Sequence, residues 1–209
     1  MLTFEEWPKI PRYKKELVIT EKIDGTNGCV AIEHLNTPEL LEQARESLGK
    51  PKGPVAIVNG PSDGDFARAL WAGSRSRWLD TSKTGDNFGF AKWVEQNADA
   101  LANLGPGRHF GEWYGVGIQR GYGLFERRFA LFNAGRWTAE DVPACCEVVP
   151  VLAQGHDVSP HQVLELLRDT GSVAVPRYPK PEGIVIYHTA SRQLYKQLLE
   201  NDDKPKSLV

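Results

Sequence analysis

The residues best suited to chemistry lie in the heptapeptide EKIDGTN, at positions 21–27. Lys22 carries a primary amine that becomes a nucleophile once it loses its proton. Because a free lysine has a pKa of about 10.4, such an amine needs burial or nearby positive charge to react at neutral pH. The heptapeptide also contains the pair Asp24-Gly25, which lies between the apolar runs at 17–19 and 29–32 and is typical of a hairpin turn. In that interpretation Lys22 is only an exposed strand residue.

Later segments combine charges with glycine or aromatic residues. They are SRSRW at 74–78, HFGEWY at 109–114, RRFALFN at 127–133, PEGIVI at 181–186 and LYKQL at 194–198. Arginine meets phosphate oxygens through its planar fork, an ionised carboxylate accepts hydrogen bonds from a diol, and an aromatic ring stacks on a base. Each segment also has a plain structural interpretation: a solvated basic strand, a surface or turn carboxylate, or a core phenylalanine.

Taken in order, these segments resemble the motifs of the covalent nucleotidyltransferases, which include polynucleotide ligases and mRNA-capping enzymes. The EKxDGTN and GEW forms are most similar to RNA ligases. The resemblance implies an α+β nucleotidyltransferase fold of antiparallel sheets flanked by helices. It also implies the reaction: a lysine attacks the α-phosphate of ATP to form lysyl-AMP, AMP passes to a 5′-phosphate end, and a 3′-hydroxyl displaces it.

The resemblance assigns roles to the matching residues. Lys22 is the nucleophile, Lys196 helps to neutralise the α-phosphate, and Glu182 serves a divalent metal, Mg²⁺ or Mn²⁺. The expected nucleotide-binding residues are Glu21, Asp24, Gly25, Asn27, Arg75, Arg77, Glu112 and Phe132. The family assigns Asn27 and the arginine segment to later steps at the nucleic-acid end.

Three of these assignments are more specific. Glu112 is expected to accept a hydrogen bond from the ribose, and Arg75 is preferred over Arg77 for contact with the nucleotide or an acceptor 5′-phosphate. Phe132 is the choice for stacking on the purine, with Phe129 as the alternative.

The last motif departs from the family pattern. Ligases place a Lys-x-Lys pair there, but only Lys196 is present, with Leu194 two residues before it and Leu198 two after. Lys204 or Lys206 is a candidate replacement. Asn133 also stands where the family usually has an aspartate.

The chain is short for this superfamily, whose members continue into an OB-fold or another C-terminal domain. We therefore expect a single nucleotidyltransferase domain over 1–209, and a protein partner that supplies the missing surface. The expected acceptor is RNA with 5′-phosphate and 3′-hydroxyl ends, including a nicked duplex. Three other functions stay open: DNA nick sealing, capping-type transfer of GMP from GTP, and non-catalytic binding of nucleotide or nucleic-acid ends.

Composition sets limits on these functions. Net charge is −2 and hydrophobic content 41%, as in an ordinary globular protein, so nucleic-acid binding requires a local basic surface. The three cysteines form no CxxC pair, which favours a reducing, cytoplasmic location and argues against a structural zinc site. The chain has no membrane-spanning run and no signal peptide at its start, and the absence of GxxxxGK[ST] argues against a P-loop NTPase.

Local signals predict the elements that position these residues. Thr37-Pro38 and Ser159-Pro160 open helices that close at Gly49 and Gly171. Further helices are predicted at 65–72 and from Asp86/Asn87 to Leu104. The predicted strands cover 17–22, 29–33, 55–59, 108–114, 127–133 and 145–152, with a turn at 60–64, an extended arginine segment at 74–77 and a mobile glycine-rich loop at 115–121.

Overall fold

The structure is a computed structural model that describes residues 2–14, 16–60 and 67–200. The turn predicted at 60–64 falls almost wholly outside these residues, and Lys204 and Lys206 lie outside them too. The chain folds into two compact units, Met1–Lys22 with Pro150–Val209, and Ile23–Val149. We refer to them as the outer unit and the inserted unit, from their order in the chain.

The secondary-structure elements alternate between strands and short helices. In chain order they are β1 (Leu17–Lys22), β2 (Thr26–Leu35), α1 (Pro38–Ser47), β3 (Ala56–Val58), β4 (Ala67–Gly73), β5 (Trp78–Leu79), α2 (Phe90–Gln96), α3 (Ala98–Leu101), β6 (Gly107–Gly115), β7 (Arg127–Leu131), β8 (Cys146–Val148), β9 (Val151–Gly155), α4 (Pro160–Thr170), β10 (Gly183–His188) and β11 (Gln193–Leu198), with a 3₁₀ turn at Ala102–Leu104. Among the described residues, no helix has the length and apolar composition needed to cross a membrane.

The outer unit is a four-stranded antiparallel sheet in the order β11-β10-β1-β9. Side chains alternate between its faces, so Ile19 of β1 and Ile184 of β10 share one face. There they pack against Leu164 and Leu167, which lie three residues apart on one side of α4. The opposite face carries Lys22, the last residue of β1.

The inserted unit is built on a seven-stranded sheet in the order β3-β4-β2-β6-β7-β8, with β5 paired to β4. All its strand pairs are antiparallel except β7 with β8. One face carries Val30, Leu70 and Phe129 against α2 and α3. Helix α1 covers one end of the other face, where Ala44 packs with Leu35. The sheets and flanking helices confirm the α+β fold class.

The alternative interpretation of Asp24-Gly25 as a hairpin turn is wrong. β1 pairs with β9 and β10, whereas β2 pairs with β4 and β6, so the segment joining them passes from one sheet to another. Gly25 does not have the positive φ of a hairpin glycine. A Cβ there would instead lie 2.4 Å from the carbonyl oxygen of Trp113. The glycine is required by a close backbone approach rather than by a turn.

One helix prediction is wrong because strand pairing overrides local propensity, and another helix is interrupted within its predicted range. The helix predicted at 65–72 is wrong over its described part, where β4 pairs along its whole length with β2. The helix predicted up to Leu104 is interrupted at Asn97, whose ψ is 17°. Asp86 does cap this segment, since its carboxylate accepts from the backbone N–H of Ala91 at 2.7 Å.

One predicted strand also differs from expectation. The strand predicted at 145–152 divides into β8 and β9, which belong to different sheets and are separated by Val149 and Pro150. By contrast, both Pro-initiated helices are confirmed, with Thr37 accepting from the N–H of Leu40 and Ser159 from that of Gln162.

Candidate active site

Lys22 lies at the end of β1 in a buried ion pair. Its Nζ is 2.5 Å from Oε2 of Glu182, and the two side chains are 19% and 6% exposed. Strand pairing sets this contact, because Lys22 pairs with Gly183 and Glu182 directly precedes it. A Cβ at Gly183 would lie 2.2 Å from the carbonyl oxygen of Gln197, so only glycine lets β10 and β11 approach here. The arrangement holds one amine against one carboxylate.

Lys196 lies on the same face of the outer sheet as Lys22. It pairs with Val185, which pairs with Thr20, two residues before Lys22 on β1. Strand spacing and rise then put the Cα atoms of the two lysines about 12 Å apart. Lys196 is exposed, so both amines can reach one anionic group between them. Leu198 shares this face, and β11 offers no second lysine.

Glu21 points away from Lys22, as successive strand residues must. Its side chain is 1% exposed. One oxygen accepts from the hydroxyl of Ser172 at 2.6 Å, and the other accepts from the N–H groups of Val173 and Ala174, both at 2.8 Å. The expectation that this side chain binds nucleotide is therefore corrected: its carboxylate is used to fix the loop after α4.

Glu112 holds the beginning of β2 in the inserted unit. Its Oε1 accepts from the N–H of Gly25 and its Oε2 from Nδ2 of Asn27, each at 3.0 Å. Asn27 and Glu112 are also direct partners in the β2–β6 register. The three predicted residues Gly25, Asn27 and Glu112 are thus brought together, with the carboxylate at the centre.

Asp24 is fixed by two residues that the sequence did not single out. Its Oδ2 lies 2.9 Å from Nε of Arg120, and its N–H donates to the phenol oxygen of Tyr122 at 2.8 Å. Arg120 belongs to the glycine-rich segment 115–121 that was predicted to be a mobile loop, and Tyr122 directly follows it. There Ile118 and Tyr122 are almost fully buried and Gly117 has a positive φ of 76°, so the segment forms tight turns packed into the unit. No spacing rule links Asp24 to residues about 100 positions away.

The two candidate arginines lie in a turn rather than in an extended strand. The N–H of Ser74 donates to the carbonyl of Arg77 at 2.8 Å, which closes the connection between β4 and β5. Arg77 donates to the carbonyl of Gly85 at 3.0 Å, so it holds a neighbouring loop. Arg75 is exposed at the tip of the turn. This placement favours Arg75 over Arg77 as a phosphate ligand.

The two candidate phenylalanines have opposite environments. Phe129 is fully buried and packs against Phe90 and Trp93, so its ring is closed to ligands. Phe132 is 42% exposed, and its N–H donates to the carbonyl of Phe110, whose ring is 52% exposed. Only Phe132 of the two candidates can stack on a base. Phe110 is an exposed neighbour that the sequence did not distinguish from core aromatics.

Glu182 can hold a metal only together with other ligands. The described residues contain no group of three or more His, Cys, Asp or Glu side chains arranged to bind an ion. Mg²⁺ and similar hard cations commonly take one or two carboxylates and complete their shell with substrate phosphates and water. A single buried carboxylate beside Lys22 fits that mode of binding.

Comparison with known proteins gives a consistent result. A family model described as RNA ligase matches residues 15–202, whereas curated protein sequences give no significant match. Among solved structures, the chain is similar to Naegleria gruberi RNA ligase. The TM-score is 0.54 at 16% identity for a variant with AMP and Mn, 0.53 at 16% for the enzyme with PPi, and 0.53 at 15% for a variant with ATP and Mn.

These structural alignments cover 88% of this chain and 49–50% of the Naegleria ligase chain. The chain therefore spans about half the length of the ligases it matches. At this level of identity the similarity shows a shared fold.

Proposed function

The chain belongs to the RNA ligase family, and from this premise we propose that it is an ATP-dependent RNA ligase acting through a lysyl-AMP intermediate. The observation that carries the proposal is the pair formed by Lys22 and Glu182. It puts a partly buried amine, the group that the resemblance assigns as nucleophile, against a single carboxylate. Lys196 lies on the same sheet face.

In the first step the amine of Lys22 attacks the α-phosphorus of ATP. The amine must first lose its proton, and the carboxylate of Glu182, at 2.5 Å, is the nearest base. A P–N bond forms, the bond from the α-phosphorus to the bridging oxygen breaks, and pyrophosphate leaves. Lys196 supplies positive charge for the α-phosphate. A divalent cation held by Glu182 and the phosphates would supply further charge neutralisation when bound.

Residues of the inserted unit bind the nucleotide in this proposal. Glu112 accepts a hydrogen bond from the ribose, because an ionised carboxylate is acceptor-only and suits a diol. The exposed ring of Phe132 stacks on adenine. The solved relatives contain ATP, AMP, PPi and Mn, which supports ATP with Mg²⁺ or Mn²⁺ for this chain as well.

The later steps transfer AMP to RNA. A 5′-phosphate oxygen attacks the lysyl-AMP, which releases the amine of Lys22 and forms a 5′–5′ adenylylated end. A 3′-hydroxyl then attacks the RNA phosphate, and AMP leaves. Arg75 is our candidate for holding the 5′-phosphate. The proposal includes one nucleotidyltransferase domain over 1–209, a partner protein for full sealing, and a cytoplasmic location, which the three free thiols support.

The first test is covalent labelling with α-labelled ATP and Mg²⁺ or Mn²⁺, followed by denaturation. We expect a labelled protein that disappears in Lys22→Ala and persists in Lys50→Ala, an exposed lysine in the loop after α1. Labelling by GTP alone would indicate capping chemistry. Absence of label with ATP binding intact would refute the proposed enzymatic activity and favour a domain that only binds nucleotide.

The acceptor is tested by offering nicked RNA and nicked DNA with the same 5′-phosphate. We expect faster sealing of RNA. Equal or faster sealing of DNA would replace the RNA ligase assignment with DNA nick sealing.

A further inference from the structure

Three aromatic rings form a line across the open face of the inserted unit's sheet. Trp78 pairs with Gly73, Gly73 with Cys29, and Cys29 with Phe110. The N–H of Phe132 donates to the carbonyl of Phe110 at 2.9 Å, which continues the line onto the end of β7. Directly paired residues share a face, so the rings of Trp78, Phe110 and Phe132 lie on one side of the sheet. We call these three residues the aromatic row.

Small residues occupy the positions between Trp78 and Phe110 in this line. The ring of Trp78 lies 3.3 Å from the position that a Cβ at Gly73 would occupy, so the ring rests over the glycine. Cys29, the next residue in line, is buried. Phe110 and Phe132 are 52% and 42% exposed, so this is an open apolar surface and not part of the core.

Positive charge flanks the Trp78 end of the row. The guanidinium carbon of Arg108 lies 6.0 Å from the centroid of the Trp78 ring, within the range of a cation–π contact. Arg75 stands three residues before Trp78, at the exposed tip of the turn between β4 and β5. An aromatic ring beside two arginines is the chemistry that binds a base together with its phosphates.

The row is too long for one base. Trp78 on β5 and Phe132 after β7 are four strand spacings apart, about 19 Å. A base stacked on Phe132 therefore leaves the Trp78 end uncovered. Polynucleotide strands use successive rings in this way, because every base has a π-face and the backbone is anionic.

We propose that the Trp78 end of the aromatic row binds a base near the 5′ end of the RNA strand, with Arg75 and Arg108 contacting its phosphates. This inference rests on the proposed function and adds a binding surface for the acceptor. Trp78 acts in strand binding and takes no part in forming lysyl-AMP.

The experiment separates the two half-reactions. Enzyme labelled with AMP is freed of ATP and mixed with a 5′-phosphorylated RNA oligonucleotide, and the rate of adenylylated RNA formation is measured for Trp78→Ala, Trp78→Phe and Arg108→Ala. Phe125→Ala is the matched control, because Phe125 is a fully exposed ring of the same unit outside the row. Self-labelling with ATP and thermal melting report folding of each variant.

We expect AMP transfer at limiting RNA to fall about five-fold or more in Trp78→Ala, the loss equivalent to one stacked base. Arg108→Ala, which removes a phosphate contact, should also slow transfer. Trp78→Phe and the Phe125 control should retain transfer, and self-labelling should be unchanged in all four. Unchanged transfer in both alanine variants would overturn the inference, as would a parallel loss of self-labelling.

A second experiment distinguishes failure of this inference from failure of the proposed function. If the wild-type protein forms no lysyl-AMP, anisotropy of a fluorescent 5′-phosphorylated RNA tests the surface directly. Weaker binding by Trp78→Ala than by Phe125→Ala supports the surface, and equal binding overturns it.

Discussion

Replacing Glu21 should test whether the residue before Lys22, the proposed nucleophile, is structural. Its carboxylate accepts three hydrogen bonds, from the hydroxyl of Ser172 and the N–H groups of Val173 and Ala174. Glu21→Ala leaves all three donors without this acceptor. A donor left unsatisfied costs about 1–3 kcal/mol, and the low end applies here because Val173 is 51% exposed to water. We expect the free energy of unfolding to fall by about 3 kcal/mol.

Glu21→Gln provides the matched control. The remaining carbonyl oxygen can take the position of Oε2 and accept from Val173 and Ala174. The hydroxyl of Ser172 can rotate and accept from the new amide, whereas a backbone N–H cannot reverse its role. The charge assistance is lost and the Ser172 hydroxyl proton loses this acceptor, so we expect a cost of about 1–2 kcal/mol, smaller than in Glu21→Ala.

Two measurements examine this reasoning. Urea unfolding followed by circular dichroism gives the stabilities, and hydrogen exchange at Val173 and Ala174 reports the local contacts. Exchange of both amides should accelerate in Glu21→Ala and stay slow in Glu21→Gln. Equal stabilities with strongly weakened ATP binding would refute a structural role and restore Glu21 as a nucleotide ligand.

Three further predictions follow from the same geometry. Phe132→Ala should weaken ATP binding by about 1–3 kcal/mol, measured by calorimetry, and leave the melting temperature nearly unchanged. Phe129→Ala should instead lower the free energy of unfolding by about 3–5 kcal/mol, measured by thermal melts. Loss of ATP binding in Phe129→Ala alone, with loss of stability in Phe132→Ala alone, would contradict this assignment. Gly25→Ala should slow self-labelling by up to about 100-fold, because a Cβ 2.4 Å from the carbonyl of Trp113 must displace the backbone; a normal labelling rate would show that the segment tolerates the shift. Burial lowers the pKa of His109 below 6.5, so the unfolded chain binds this proton more readily and stability should fall as pH drops from 7.5 to 5.5. Urea midpoints should fall less over that range in His109→Gln, and an identical fall would refute this contribution.

The sequence predicted the features that depend on neighbouring residues. The helices begin where Thr37 and Ser159 cap them, because the capping oxygen and its amide partner are three residues apart. The positions of strands β1, β2, β6 and β7 also followed from the sequence pattern. The choice of Phe132 over Phe129 came from the family resemblance and not from patterning, since the two differ only in which face of β7 and its extension they occupy.

The features that failed depend on distant partners. The Asp24-Gly25 pair has the local signature of a hairpin, yet the strands on either side of it find their partners elsewhere in the chain. Glu21 is structural because residues 151 to 153 positions later surround it. Arg120 and Tyr122 fix Asp24 from 96 and 98 positions away. Contacts between residues that lie about 100 or more positions apart produce no periodic pattern in the sequence.

The order of the two units along the chain has a consequence for synthesis. Residues 23–149 form one contiguous unit, whereas β1 pairs with β9 and β10 from beyond it. During synthesis on the ribosome the inserted unit can complete its sheet first, while β1 is still without its partner strands. About fifty more residues must follow before β11 is available, which takes about 2–10 s at ordinary elongation rates. The Lys22–Glu182 contact therefore forms late in synthesis, only after Glu182 and β10 have been made.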